Sequence, residues 1–542
     1  MAVGSDTAPR TDWMRGRVTT WLTTVDHKRI GALYVGTSLV FLLAGGVLAL
    51  FLRAQATAPD EHFLSPRSYE QVLTLHATTM IFLFTMPVVA GLGSHLVPLL
   101  IGARAVAFPR LNALSYWLFL LGGVVLFSSF LAKGGPASGS FSGSVPLAER
   151  SAWPGNGVEI LILSLLLLSL SSILAAINLV VTVKHMRTEG MTWMRTPLFA
   201  WSMLAYSALL LLIVPTFAAS LTMLLLDREA GTHFFVASQG GSTALYRHAF
   251  WFLGRPEVYL LILPPIGIVS EIVAVFSGRA IFSYDRMVYS IWALGGLFLL
   301  VWIHRTFVIG VHGYVHVALI VAAVAIGIVV VVMFLDWLPT LVHGTPRFDS
   351  PLLFAAGFLF LFGVGCLSRI AVAIFSLHGT AEVSAHLHYV LYGSSLFAIL
   401  AGLHYWWPKI YGRLLDERLA ALSFWLLFAG FNLAFFFEYL LGRLGMESGA
   451  STYAGGGHRE SYNVVSTVGS GLMAVGVIVL LVNVFHTHRG GRRAGNDPWQ
   501  GDTLEWYTSS PPPEDDFETV PPVSSARPLY DLRRRLQESG AR

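Results

Sequence analysis

Three histidines fall inside apolar segments of the sequence. His386 and His388 stand two positions apart in "SAHLHYV", and His76 stands in "LHATTMIF". On a helix, positions two apart point about 200° from one another, so the first two imidazoles face opposite sides. They cannot easily bind one metal ion together, but each can hold a separate planar cofactor such as haem, whose iron takes one axial imidazole from each face. His76 is a candidate second axial ligand, and the spacing alone does not distinguish haem from chlorophyll or a bare metal.

The composition is that of a membrane protein. Of the 542 residues, 55% are hydrophobic and only 12% are charged, whereas an ordinary soluble domain has about 25% charged residues. The net charge of +4 comes from short basic clusters between apolar runs, which are typical of orientation signals, so no nucleic-acid partner is expected. The single cysteine, Cys366, excludes an intrachain disulfide and a cysteine metal cluster.

Twelve apolar segments are long enough to cross a bilayer, since a transmembrane helix needs about 20 residues. They lie near 30–52, 72–101, 111–132, 158–183, 198–226, 249–276, 287–309, 313–335, 352–376, 380–403, 418–441 and 463–486. The sequence therefore predicts an all-α integral membrane protein with twelve transmembrane helices. The even number and the basic loops between the spans place both termini in the cytoplasm.

Three regions are predicted along the chain. Residues 1–29 form a cytoplasmic N-terminal segment, and residues 30–487 form the twelve-helix membrane domain. Residues 488–542 contain "SSPPPEDDFETVPP", a composition that cannot bury a core, and are predicted to be a disordered cytoplasmic tail.

Five polar residues from four spans are predicted to share one layer in the outer third of the membrane. They are His76, Arg255, His304, His386 and His388. A lone histidine on an apolar helix is more often a packing residue than a ligand. Convergence at one depth favours a functional site instead, because ionisable groups are costly in hydrocarbon.

Several longer motifs resemble subunit I of the haem–copper oxidases, the family of cytochrome c oxidase. These motifs are "TTVDHKRIGALY", "LHATTMIF", "LVPLLIGARAVAFPRLNALSYW", "HAFWFLGRPEVYLLILPPIGI" and "SAHLHYVLYG". The resemblance covers most of residues 20–490. It implies a respiratory-chain oxidoreductase of the cell membrane, with other oxidase-type membrane subunits, cytochrome c or another electron donor, and O2 as the family's acceptor.

The resemblance implies two haems, of type a or of type b or o. His76 and His388 match the axial ligands of the low-spin haem, and His386 matches the proximal ligand of the high-spin haem. Arg53 in "FLRAQ" matches a family arginine near the low-spin haem.

The dinuclear copper site departs from the family. Glu257 and Tyr259 match the proton-donating glutamate and the active-site tyrosine. The family's "GHPEVY" and "WAHHMF" read "GRPEVY" and "WIHRTF" in this chain, so that Arg255 and Arg305 replace two copper-ligating histidines and only His304 remains. A guanidinium group offers no lone pair to a metal, so no bound copper is expected.

Further family positions also differ. The channel lysine aligns with Met333, the aspartate at the mouth of the other proton channel with Ala105, and the outer histidine–aspartate pair with His378 and Gly379. The tandem arginines expected around "LGMESGAS" are missing. These losses argue against efficient proton pumping.

Several functions stay open after these departures. The family reaction is electron transfer to O2 giving water, which the loss of copper ligands would impair. Alternatively, a distal His304 with distal arginines resembles the peroxidase arrangement and predicts reduction of peroxide or an oxyanion. In a third interpretation the arginines fill the site and pair with Glu257, and the chain is a non-catalytic electron-transfer or assembly subunit. A secondary transporter would need inverted repeats and broken helices at the midplane, and the sequence shows neither.

Overall fold

The computed structural model describes residues 18–138, 149–150, 153–254, 260–307, 314–374 and 380–539. Within them, only the backbone is described for 251–254, 301–307, 314–319 and 369–374. The described residues form helices joined by short connections, and their only β structure is two isolated bridges, Thr380 with Glu447 and Arg413 with Arg493.

Fifteen helices follow one another along the described chain. They are α1 (Val18–Leu22), α2 (His27–Gln55), α3 (Pro66–Ile101), α4 (Pro109–Leu131), α5 (Gly157–His185), α6 (Leu198–Glu229), α7 (Thr243–Gly254), α8 (Leu263–Phe276), α9 (Tyr284–Phe307), α10 (Tyr314–Val342), α11 (Ser350–Ile374), α12 (Ala381–Tyr411), α13 (Glu417–Arg443), α14 (Arg459–Gly490) and α15 (Pro528–Glu538).

The helices coincide with the predicted spans. Each of α2 to α6 and α9 to α14 falls on one predicted span, and α7 with α8 falls on the sixth. Among the described residues, ten helical stretches are long and apolar enough to cross a membrane. The all-α membrane fold class is therefore confirmed.

Local sequence signals set several helix ends. Asp26 caps α2 by accepting a hydrogen bond from the backbone N–H of Lys28 at 2.9 Å, and Asp416 caps α13 in the same manner. Both carboxylates satisfy N–H groups that a helix start leaves unpaired. Gly102 and Gly412 follow the ends of α3 and α12 with φ values of 71° and 70°, a conformation that glycine adopts without strain.

Two of the membrane helices contain π-helical turns. In α3 the π-helical stretch is Thr79–Thr85, and in α12 it is His388–Gly393. Such turns insert one extra residue into a helix and frequently occur at functional sites. Here each of them begins at or just after a histidine predicted to bind haem.

The C-terminal tail contradicts a prediction. Residues 491–539, expected to be disordered, fold against the end of the bundle where α2 begins. Trp499 and Trp506 are buried, and their indole N–H groups donate to the backbone oxygen and the hydroxyl of Tyr405 at 2.9 and 2.8 Å. The prediction of disorder is wrong for this described stretch because a few large apolar side chains dock onto surface that the helix ends provide.

Ion pairs add to this docking. Asp502 pairs with Arg527 at 2.6 Å and with Arg533 at 2.8 Å, which links α15 to the preceding turn. Asp516 is fully buried and pairs with Lys28 at 2.7 Å. The charges that suggested a solvated tail therefore pair with one another and with the membrane domain.

Candidate haem-binding site

The imidazoles of His386 and His388 face different neighbouring helices. The Nδ1 atom of His386 lies 2.9 Å from the hydroxyl of Ser368 on α11. The ring of His388 instead stacks on Phe435 of α13, with centroids 4.1 Å apart and ring planes at 16°. The two side chains therefore lie on different sides of α12, as their spacing indicates, while their roles stay predictions.

A hydrogen-bond chain determines the tautomer of His386. The hydroxyl of Ser368 donates its one proton to the backbone oxygen of Gly365 at 2.8 Å. It therefore accepts from Nδ1–H of His386, which leaves the ring's lone pair on Nε2. A histidine whose second nitrogen donates in this way is held in the form and orientation that metal ligation requires.

His76 and His388 are oriented by backbone carbonyls. Nδ1 of His388 donates to the backbone oxygen of Ser384 at 2.8 Å, and Nδ1 of His76 donates to that of Gly45 on α2 at 2.9 Å. Since a carbonyl oxygen can only accept, both rings carry the proton on Nδ1 and the lone pair on Nε2. The two imidazoles also lie near one another.

Helix α2 comes unusually close to the turn after His76. A Cβ atom added to Gly45 would lie 2.6 Å from Sδ of Met80 and 3.3 Å from Cγ2 of Thr79. Any larger residue at this position would require at least the side chain of Met80 to move. Through this close approach, the carbonyl of Gly45 comes within hydrogen-bond distance of His76.

Arg53 lies at the far end of α2 and is held by α14. Its Nη2 group donates to the backbone and side-chain oxygens of Asn463 at 3.1 and 3.2 Å. Its Nε group is buried and makes no hydrogen bond with the described residues. A buried donor without a partner is costly, so Arg53 retains a capacity to bind a polar substituent at this site.

The predictions for the copper region lie largely outside the described residues. Arg255, Glu257 and Tyr259 are not described, and for His304 and Arg305 only the backbone of α9 is. Their convergence with the histidines that are predicted to bind haem also stays a prediction.

The sequence interpretation missed four residues that surround the histidines. Ser368, Ser384 and Phe435 contact the imidazoles directly. Glu438 lies one turn beyond Phe435 on α13 and one turn before Gly442, where an added Cβ atom would overlap the backbone of Glu382 on α12. Glu438 did carry a signal, since it is an acidic residue inside the apolar segment predicted as the eleventh span. The two serines and the phenylalanine carry no such signal because these residues are common in any membrane helix.

The three described histidines fit the binding of haem. His386 and His388 lie on two sides of α12, and His76 lies on α3. Each ring has its Nδ1 hydrogen-bonded and its lone pair on Nε2, which is the form that haem iron takes as an axial ligand. At the positions matched to the copper ligands, which lie outside the described side chains, the sequence has Arg255, His304 and Arg305, and the absence of bound copper stays a prediction.

Comparisons with known proteins give one consistent result. The family model described as Cytochrome C and Quinol oxidase polypeptide I matches residues 29–472. The chain is 42% identical over 516 residues to cytochrome c oxidase subunit 1 of Bacillus subtilis, with 94% of this chain and 82% of that protein covered. It is 41% identical over 532 residues to a putative cytochrome c oxidase subunit 1-beta of Streptomyces coelicolor, with 96% of this chain and 92% of that protein covered.

A solved structure matches the fold as well. A chain from the cryo-EM structure of a haem–copper terminal oxidase dimer superposes with a TM-score of 0.70, covering 86% of this chain and 84% of that one. The sequence identity is 16%, so this likeness supports the fold and not the chemistry.

Proposed function

Because the chain belongs to the family of cytochrome c and quinol oxidase polypeptide I, we propose that it is the two-haem subunit of a respiratory membrane complex. His76 and His388 would hold a low-spin haem, and His386 would hold a high-spin haem on the other side of α12. The observation that carries this proposal is the orientation of the histidines. His386 turns to Ser368 and His388 to Phe435, and hydrogen bonds at Nδ1 leave the lone pair of each ring on Nε2.

The residues of the chain orient and insulate the cofactors. Bound haem supplies one-electron redox chemistry at its iron. Ser384, Gly45 and Ser368 fix the three imidazole rings, and Phe435 covers one face of His388. Rigid support of this kind would keep the imidazoles in place in either oxidation state of a bound haem.

The relatives indicate the partners. They are named cytochrome c oxidase subunit 1, which supports assembly with other oxidase subunits, cytochrome c or another electron donor, and O2 as acceptor. A multi-pass position in the plasma membrane agrees with the ten apolar helices among the described residues. The cytoplasmic location proposed for both termini rests on the basic loops alone.

The reaction with O2 is proposed to be impaired. Arg255 and Arg305 stand where the family has copper-ligating histidines, and a guanidinium group cannot bind copper. Four-electron reduction of O2 normally draws on haem iron, copper and tyrosine together. The chain retains Tyr259 and Glu257 but lacks the copper donors.

Haem and metal analysis of the purified protein tests the proposal. We expect two haems per chain and less than stoichiometric copper. His76→Ala should remove the low-spin spectrum, and His386→Ala should remove the high-spin one. His404→Ala is the matched control, because His404 is also buried on α12 with Nδ1 bound to a carbonyl of its own helix. Protein without haem, or haem content insensitive to both substitutions, contradicts the assignment, and stoichiometric copper contradicts the altered copper site.

A second candidate function follows from the two arginines. Next to His304, a guanidinium group can stabilise charge that develops during O–O cleavage, as in peroxidases. The purified protein should then reduce peroxide or an oxyanion with electrons from a donor, and Arg255→Leu should abolish this while leaving the haem spectrum intact. Peroxide turnover no faster than that of free haem favours the non-catalytic electron-transfer or assembly subunit instead.

A further inference from the structure

Glu438 is an acidic residue inside a membrane helix, and no part of the proposed chemistry accounts for it. It lies on α13 within the span Glu417–Arg443 and is half-buried. Ionisable groups at such positions are costly and usually functional. Its position relative to the histidines indicates which function it has.

Two contacts place Glu438 beside His388. Phe435, three residues earlier on α13, stacks on the ring of His388 with centroids 4.1 Å apart, and residues three apart share one face of a helix. Gly442, one turn after Glu438, lies against the backbone of Glu382 at the start of α12, so the face of α13 that carries Glu438 packs on the turn that includes Ser384. The backbone oxygen of Ser384 accepts the Nδ1 proton of His388 at 2.8 Å.

Arg53 supplies the opposite charge. It lies close enough to Glu438 for their charges to interact, and its Nη2 group donates hydrogen bonds to Asn463 and Thr467. No ion pair within 4.0 Å joins Arg53 to Glu438 among the described side chains. The two charged groups therefore do not neutralise each other in direct contact. Each contributes separately to the electrostatic potential at the proposed site of the low-spin haem.

We propose that Glu438 sets the reduction potential of the haem held by His76 and His388, with Arg53 as the opposing charge. This inference rests on the proposed function. A nearby carboxylate stabilises the oxidised state of an iron porphyrin, which carries one more positive charge, relative to the reduced state.

Spectroscopic redox titration of the purified, haem-loaded protein tests the inference. One electron converts ferric to ferrous iron, and the low-spin absorption bands report the midpoint potential. Glu438→Gln should raise this potential without loss of the bands, while Glu438→Asp, which keeps the charge, should stay closer to the wild type. Glu447→Gln is the matched control, because Glu447 is exposed in the loop after α13 and its substitution should leave the potential unchanged.

The outcomes separate this inference from the proposed function. Normal bands with an unchanged potential in Glu438→Gln overturn the inference alone. If Glu438→Gln fails to assemble, Arg53→Gln is measured instead, because it removes the opposing positive charge and must lower the reduction potential. An unchanged or raised reduction potential in Arg53→Gln overturns the inference. Wild-type protein without bis-imidazole bands overturns the proposed function and this inference with it.

Discussion

Asp516 and Lys28, 488 positions apart in the sequence, form a 2.7 Å ion pair in which neither side chain is more than 1% exposed. The other carboxylate oxygen of Asp516 lies 2.9 Å from Nε2 of His27. One buried carboxylate thus joins the C-terminal tail to the first two residues of the first membrane helix. This contact explains why a segment rich in proline and charge is ordered.

Asp516→Asn should loosen the tail. The substitution leaves buried Lys28 with Asp26, at 3.1 Å, as its remaining carboxylate partner, and removal of one member of a buried ion pair costs up to about 3–5 kcal/mol. Asn tolerates the left-handed backbone of this position, where φ is 64°, so the effect reports the lost charge. Hydrogen exchange of residues 491–539 should become roughly 100-fold faster. Asp515→Asn, at the exposed neighbouring position, should exchange like the wild type, and equal rates in both variants would contradict the role of the pair.

The docking of the tail should depend on pH through Glu505. Burial raises the pKa of this carboxyl from 4.5 to about 7, and Glu271 and Lys409 are ionisable groups that interact with it. Between pH 4.5 and about 7, Glu505 is therefore more fully protonated in the docked tail than in the undocked tail. Docking consequently weakens as the pH rises through this range.

Glu505→Gln should remove most of this dependence. Gln keeps the acceptor oxygen for Trp406 and Thr503 and cannot ionise. It should stabilise the docked tail by up to about 3 kcal/mol at pH 8 and by little at pH 4.5. Hydrogen exchange of the tail at both pH values, corrected for intrinsic rates, measures the difference. Glu518→Gln, which is exposed, is the control, and a pH dependence unchanged by Glu505→Gln would exclude Glu505 as its source.

The sequence predicted the membrane helices and the opposite directions of His386 and His388. Both follow from simple periodicities, since a long apolar run specifies a span and a two-residue spacing on a helix specifies an angle. The tail could not be predicted in this manner. Its docking depends on single contacts, such as that of Trp506 with Tyr405. These contacts form on a surface that exists only after the helices have assembled, and the amino-acid composition of a segment does not show them.

Gly45→Ala should disturb the site of His76. The added methyl group would meet Met80 and Thr79, and relieving such an overlap typically costs about 1–3 kcal/mol. Because the carbonyl of Gly45 holds Nδ1 of His76, we expect a lower midpoint of thermal unfolding together with a weaker low-spin haem spectrum. Gly46→Ala is the matched control, since nothing lies within 4 Å of a Cβ atom there. Identical spectra for the two variants would contradict the proposed role of this close approach.

Restoring histidines should restore copper. If Arg255 and Arg305 occupy the positions of lost copper ligands, the double substitution Arg255→His with Arg305→His provides three imidazoles together with His304, which is enough to bind copper. We expect about one copper per chain in the double variant and far less in the wild type and in each single variant. Plasma mass spectrometry after dialysis against a weak chelator measures this. Arg104→His with Arg110→His, at exposed positions, controls for adventitious binding by new histidines. Equal copper in both double variants would show that positions 255 and 305 do not form a common site with His304.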